Sequence, residues 1–260
     1  MHYCLVVPIG IACRTCVRRG LCWTVNLMST ALRQIQYWHA CWLGELAPDE
    51  VHVYSTSLDW PDASLAWTGS WLSDTEQARA RQLVDPIKRN RFSAARASLR
   101  WLLAKYLDQP PQEVVIQYEP GGKPYVPGVH FNVSHSHDRA LIAITRACAV
   151  GVDVEFIDQH VPYWQVAEVA FTSQEREALS AIPVGRQRQV FYQMWTGKEA
   201  LLKAYGGKLD IYLKGESSGG EVQEVPPYRI LPLSLEECWA GAIALTNPPS
   251  AVNLRYGALV

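Results

Sequence analysis

Between Lys88 and Leu107 the apolar side chains Phe92, Ala95, Leu99, Leu102, Leu103 and Tyr106 recur at three- and four-residue spacing, which writes a long amphipathic helix. Such a helix needs a partner surface for its apolar stripe, and the chain must supply one. Strand-like segments do so. VHVYS from Val51 alternates and ends in the breaker run DWPD, while Val114 to Tyr118 leads into the tight turn Glu-Pro-Gly-Gly-Lys-Pro-Tyr. His130 to Ser136 and Ala140 to Thr145 read as strands joined by a short polar turn, and Gly151 to Phe156 as another. Ser73 followed by Glu76 is a capping box that opens a helical stretch, and Tyr163 to Ala170, Ser173 to Leu179 and Arg186 to Ala204 read as helices. Tyr228 to Leu231, Ala240 to Ala244 and Asn253 to Tyr256 close the chain as strands. Helices and strands recur in two runs with a break near Ala149 to Gly151, which predicts an α/β protein in two parts.

Composition excludes several classes. The 260 residues are 48% hydrophobic and 19% charged, enough for one large core or two smaller ones and unlike a disordered or fibrous chain. No apolar run approaches the roughly 18 to 20 residues of a membrane-spanning helix. A net charge of -1 gives no global field for nucleic acid or anionic lipid, so any polyanion must be gripped locally. Leu5 to Ala12 is apolar but is broken by Pro8 and Gly10, and its arginines follow rather than precede it, the wrong order for a secretory signal. A cytoplasmic monomer is expected. Residues 1–48 have poor periodicity and read as an atypical, dispensable extension ahead of the halves 49–149 and 150–260. Four of the seven cysteines, Cys4, Cys13, Cys16 and Cys22, crowd into its N-terminal part, but the Cys13/Cys16 pair lacks a second ligand pair at a familiar zinc spacing.

Three clusters carry chemistry. In Gly151-Val152-Asp153-Val154-Glu155, strand alternation puts the two carboxylates on one face about 7 Å apart, a spacing that a shared divalent cation or a plain solvated face both fit. Glu199 and Lys203, four apart on the last helix of the first-named trio, project together, either as a surface ion pair or as an acid beside a phosphate-stabilising cation. Lys198 lies on another face. Ser134 and His135 are adjacent on a strand and point apart, so they cannot form a nucleophilic pair; donors at such a strand, and Lys123 in its Gly-Gly-Lys-Pro turn, suit phosphate holding or an ordinary polar turn. From Glu76 to Lys105 eight residues are basic and two acidic, with Arg89, Arg96 and Arg100 on one flank of the helix. Snorkelling arginines on a solvated face explain that flank as readily as a bound polyanion does.

Taken in order, GGKPYVPGVHFNVSHS, VGVDVEFID, FTSQEREAL and FYQMWTGKEALLKAYGGKL resemble the Sfp-type 4'-phosphopantetheinyl transferases, over about Val51 to Leu245. The resemblance implies a 4'-phosphopantetheinyl transferase fold of two pseudo-symmetric halves, each a small sheet packed with helices, with coenzyme A and Mg2+ in the cleft between them. It places the metal on Asp153, Glu155 and Glu199, the family lysine on Lys203, the coenzyme-binding turn on Lys123 and Pro124, and the strand motif on Asn132, Ser134 and His135. Arg79 falls where the family contacts the 3'-phosphate. The chain departs from the family at Gly206-Gly207-Lys208-Leu209, with Lys in place of a second Gly.

The implied reaction moves the phosphopantetheine arm of coenzyme A onto a serine of an acyl or peptidyl carrier protein, in fatty-acid, polyketide or nonribosomal peptide biosynthesis, and releases adenosine 3',5'-bisphosphate. Catalysis would rest on Glu199, Lys203 and Asp153. The alternatives are a non-catalytic coenzyme A-binding module and a metal-dependent phosphoesterase that uses water in place of serine.

Overall fold

The computed structural model describes the backbone of residues 23–25, 32–39, 45–207 and 227–259, and side chains within 45–207 and 227–257. The chain runs through β1 (Trp23–Val25), β2 (Leu32–His39), β3 (Glu50–Ser57), α1 (Asp62–Thr68), α2 (Asp74–Gln82) and α3 (Pro86–Leu107). It continues through β4 (Gln117–Tyr118), β5 (Pro124–Tyr125), β6 (His130–Ser136), β7 (Arg139–Thr145) and β8 (Val150–Phe156). Helices α4 (Tyr163–Ala170), α5 (Ser173–Ser180) and α6 (Val184–Ala204) precede β9 (Tyr228–Pro232), β10 (Trp239–Thr246) and β11 (Val252–Leu259).

Two sheets result, one in the order β1-β2-β11-β3-β7-β6 and one in the order β8-β10-β9, with β4 and β5 a separate ribbon. Period-two alternation sorts the side chains into layers. Val51 and Val53 of β3, Leu141 and Ala143 of β7, Val150, Val152 and Val154 of β8, and Ile243 and Leu245 of β10 meet in one core between the sheets. On the far face of the larger sheet, Tyr54, Ile142 and Ile144 receive Leu99, Leu102 and Leu103 of α3. On the far face of the smaller sheet, Ala242 and Ala244 receive Ala200, Leu201 and Ala204 of α6. Each sheet is thus backed by one long helix, the mixed α/β arrangement that was expected. The halves are not separate lengths of chain, because β11 returns to lie parallel between β2 and β3 in the larger sheet.

The small residues on α6 bring its backbone unusually close to β8. A Cβ on Gly151 would stand 1.9 Å from the Ala200 carbonyl oxygen and 2.5 Å from the Ala204 nitrogen, so only glycine allows the contact.

Several local expectations change. The flank of α3 is not a solvated face: Glu76, fixed by the capping box with Ser73 at the start of α2, pairs with Arg96 and with Arg100, the latter at 2.5 Å and 3% exposed. A charge pair buried this deeply ties α2 to α3, and removing Glu76 would strand two cations at a cost of about 3 to 5 kcal/mol. Val114 to Tyr118 is strand only at Gln117–Tyr118, because Val114 turns into the core and gives its carbonyl to Arg100 at 2.9 Å. The breaker run DWPD proves to be the start of α1, for which Pro61 stands at the N-cap. Part of the supposed extension belongs to the sheet, since β2 pairs along β11 and Leu46 is buried against α3. Cys4, Cys13, Cys16, Cys22, Cys41 and Lys208 lie outside the described residues. No helix among the described residues is long and apolar enough to cross a membrane.

Candidate active site

One edge of β8 pairs with β10; the other meets β6 of the larger sheet through side chains. Alternation sets Asn132, Ser134 and Ser136 on one face of β6, and each reaches β8. The Asn132 Oδ1 accepts the Val152 N–H at 2.9 Å, and the Ser136 Oγ accepts the Phe156 N–H at 3.2 Å. Between these two staples the Ser134 hydroxyl donates to Asp153 Oδ1 at 2.8 Å, and Ser136 donates to Glu155 Oε2 at 2.8 Å. Asp153 and Glu155 share the face of β8 opposite Val152 and Val154, as the alternation predicts.

That face looks at α6. The Lys203 ammonium donates to Asp153 Oδ1 at 2.5 Å and to Ser134 Oγ at 2.9 Å. Asp153 is 2% exposed, and its second oxygen, Oδ2, is buried with no hydrogen-bond partner. Burial pushes the Asp153 carboxyl above the usual range, against the pull of Lys203, Ser134 and the Val154 N–H. Burial also pushes Glu155 up, opposed by the Ser136 hydrogen bond and reinforced by the charges of Asp153 and Glu199. The charge of Glu199 thus adds to that of Asp153 at Glu155, while the Lys203 charge opposes both.

The remaining expected residues separate into two places. Lys123 sits one turn beyond Lys203, where its Nζ donates to the Ala204 carbonyl at 2.7 Å and the Val150 carbonyl at 3.3 Å. It closes the C-terminus of α6 onto the start of β8, a favourable position for a cation, and desolvation lowers its pKa. Lys123 and Pro124 line a cavity of about 660 Å3 with His130, Arg146, Tyr205 and Asn247. The His135 side chain is on the opposite face of β6 from Ser134; desolvation and then the Lys203 charge hold its imidazole below the usual range. Arg79 stands exposed at the end of α2, with its Nη1 bonded to Gln82 at 3.3 Å, and is not brought against Lys123 or His135 by any described contact. Lys198 is turned away, as its helical offset predicts, and pairs with Glu175 at 2.6 Å beside the Phe171 ring.

Among the described residues no three His, Cys, Asp or Glu side chains already stand as a metal-ligating cluster. The donors nevertheless fit a hard divalent cation: they are carboxylate oxygens, one of them buried without a partner, in a region of excess negative charge. Two contributors were not legible as site residues. Ser136 repeats the period of Asn132 and Ser134, which was the available signal; Gly151 is explained only by the approach of α6.

Residues 149–220, which include β8 and α6, match the family model described as the 4'-phosphopantetheinyl transferase superfamily. The chain is 32% identical over 214 residues to the 4'-phosphopantetheinyl transferase HetI of Nostoc sp., covering 78% of this chain and 90% of that protein. It is 30% identical over 197 residues to the 4'-phosphopantetheinyl transferase psf-1 of Bacillus pumilus, covering 71% and 83%. With the 4'-phosphopantetheinyl transferase AcpT of Escherichia coli it shares 29% identity over 161 residues, covering 61% and 80%. The chain belongs to the 4'-phosphopantetheinyl transferase superfamily.

Proposed function

We propose that the protein transfers the 4'-phosphopantetheine arm of coenzyme A to a serine of an acyl or peptidyl carrier protein, with Mg2+ as cofactor, as a monomer in the cytoplasm. The observation that carries this reading is the Asp153 carboxylate, buried with one oxygen unpartnered beside Glu155, Glu199 and Lys203. Asp153 and Glu199 would hold the metal, with Glu155 bound directly or through water. When bound, Mg2+ supplies charge neutralisation at the pyrophosphate.

The chain's own groups account for the rest. Glu199, or a water that it orients, accepts the proton of the attacking serine hydroxyl. Lys203, part exposed and held by Asp153 and Ser134, offsets charge on the departing phosphate. Lys123 spends two of its three donors on carbonyls and keeps one for a phosphate oxygen in the adjoining cavity, where Pro124 forms part of the wall. Asn132, Ser134, His135 and Arg79 complete the assignment to coenzyme A. Asn132 serves it indirectly, by fixing β8 beneath the site.

Incubation with coenzyme A, Mg2+ and an apo carrier protein, followed by intact-mass analysis of the carrier, tests the proposal. The carrier gains one phosphopantetheine arm and adenosine 3',5'-bisphosphate appears in equal amount. Cleavage of coenzyme A without a carrier would identify a phosphoesterase instead, and an unchanged carrier with intact coenzyme A a binding module.

A further inference from the structure

Ser136 ends β6 and sits behind Glu155. Its Oγ is 3.2 Å from the Phe156 nitrogen and 2.8 Å from Glu155 Oε2. A serine hydroxyl has one proton and two lone pairs, an amide N–H only donates, and an ionised carboxylate only accepts. The amide therefore occupies a lone pair, and of the two remaining neighbours, Glu155 Oε2 at 2.8 Å and His137 Nδ1 at 3.4 Å, the nearer and anionic Glu155 oxygen takes the hydroxyl proton.

Both partners stand on rigid elements. Ser136 pairs with Arg139 across the turn His137-Asp138, in which His137 takes a φ of 50°, and Glu155 pairs with Ala240. Glu155 is half-buried, and a hydroxyl donor 2.8 Å from its Oε2 on a neighbouring strand restricts where the carboxylate can point.

We infer that Ser136 is a positioning residue for the divalent cation: it fixes the orientation of the Glu155 carboxylate, on the face of β8 that also carries Asp153, so that Glu155 can reach the metal or a water on it. This rests on the reading of Asp153, Glu155 and Glu199 as the metal site. Partners behind a metal ligand commonly govern affinity by about 10 to 100-fold, and a donor to an outer ligand belongs at the lower end.

The test is a Mn2+ titration of the full chain with coenzyme A present, read by the electron paramagnetic resonance of free Mn2+, on wild type, Ser136→Ala, Ser136→Thr and Glu155→Ala. Ser136→Ala should weaken Mn2+ binding about ten-fold, Ser136→Thr should restore most of it, and Ser136→Ala should have no further effect in the Glu155→Ala background. A purely structural staple would lower the melting temperature and leave Mn2+ affinity alone. Equal affinity in wild type and Ser136→Ala, or an undiminished effect of Ser136→Ala when Glu155 is already absent, would overturn the inference. If Ser136→Ala does not fold, Ser136→Cys keeps the volume with a much weaker hydrogen bond and takes its place under the same criteria. Wild type that takes up no Mn2+ would remove the metal reading and this inference together, whereas uptake lost in Asp153→Ala but kept unchanged in Ser136→Ala would remove this inference alone.

Discussion

The surroundings of Glu155 disfavour its charged form, through burial and through Asp153 and Glu199, and that cost should register in stability. Its folded pKa lies above its unfolded value, so the neutral form is favoured in the fold; the associated stability is present at acid pH and is lost as pH rises through the raised value. Glu155→Gln should therefore raise the melting temperature of the metal-free protein at pH 7 by a few degrees. The gain should shrink toward zero as pH falls to the ordinary carboxylate range, and a gain independent of pH would contradict the account. Arg79 makes a different claim. A charge-assisted bond to the 3'-phosphate is worth roughly 1.5 to 3 kcal/mol, so Arg79→Ala should raise KM for coenzyme A about ten-fold or more and matter far less with dephospho-coenzyme A. Equal effects on the two substrates would leave Arg79 a solvated residue at the end of α2. The carboxylates and Lys203 were legible because alternation on a strand and four-residue spacing on a helix are local rules. Arg96 and Arg100 were misread for the opposite reason: their partner Glu76 is 20 and 24 residues away, and nothing local records the pairing.

At the scale of elements, the site depends on how closely α6 lies on β8. Ala200, Ala204 and Gly151 provide that closeness, and Lys203 reaches Asp153 as a result. Gly151→Ala must push the helix away, at a cost of about 3 kcal/mol or more by the measure of overpacked cores. Thermal unfolding should show a fall of several degrees, with carrier modification reduced at temperatures where the variant is still folded. An unchanged melting temperature would mean that the helix sits farther out than described. Periodicity found α3 and α6 almost to their ends, and it found β3, β6, β7, β8, β9, β10 and β11. It overextended the strand at Val114, whose burial is decided by Arg100 and the core, and it missed α1, whose opening Trp-Pro-Asp reads as a break.

For the whole molecule, the sheets form one core, and the last strand stitches the end of the chain to its beginning. Nothing in the sequence near Val252 says that β11 will lie between β2 and β3; parallel pairing across about 200 residues leaves no local trace. The same pairing changes the outlook for residues 1–48. A chain starting at Glu50 keeps every site residue but exposes the edge of β11, so it should retain coenzyme A turnover per folded molecule while self-associating in size-exclusion chromatography. A monodisperse truncated chain of full stability would return those residues to a dispensable extension. The central claim is that Asp153 anchors the metal on which transfer depends. The most direct measurement is the initial rate of carrier modification by Asp153→Ala at ordinary Mg2+, with folding checked by circular dichroism. Loss of several kcal/mol of charge stabilisation predicts a rate about a thousand-fold or more below wild type, with Glu199→Ala similar and Glu155→Ala less affected. A wild-type rate from folded Asp153→Ala would contradict it.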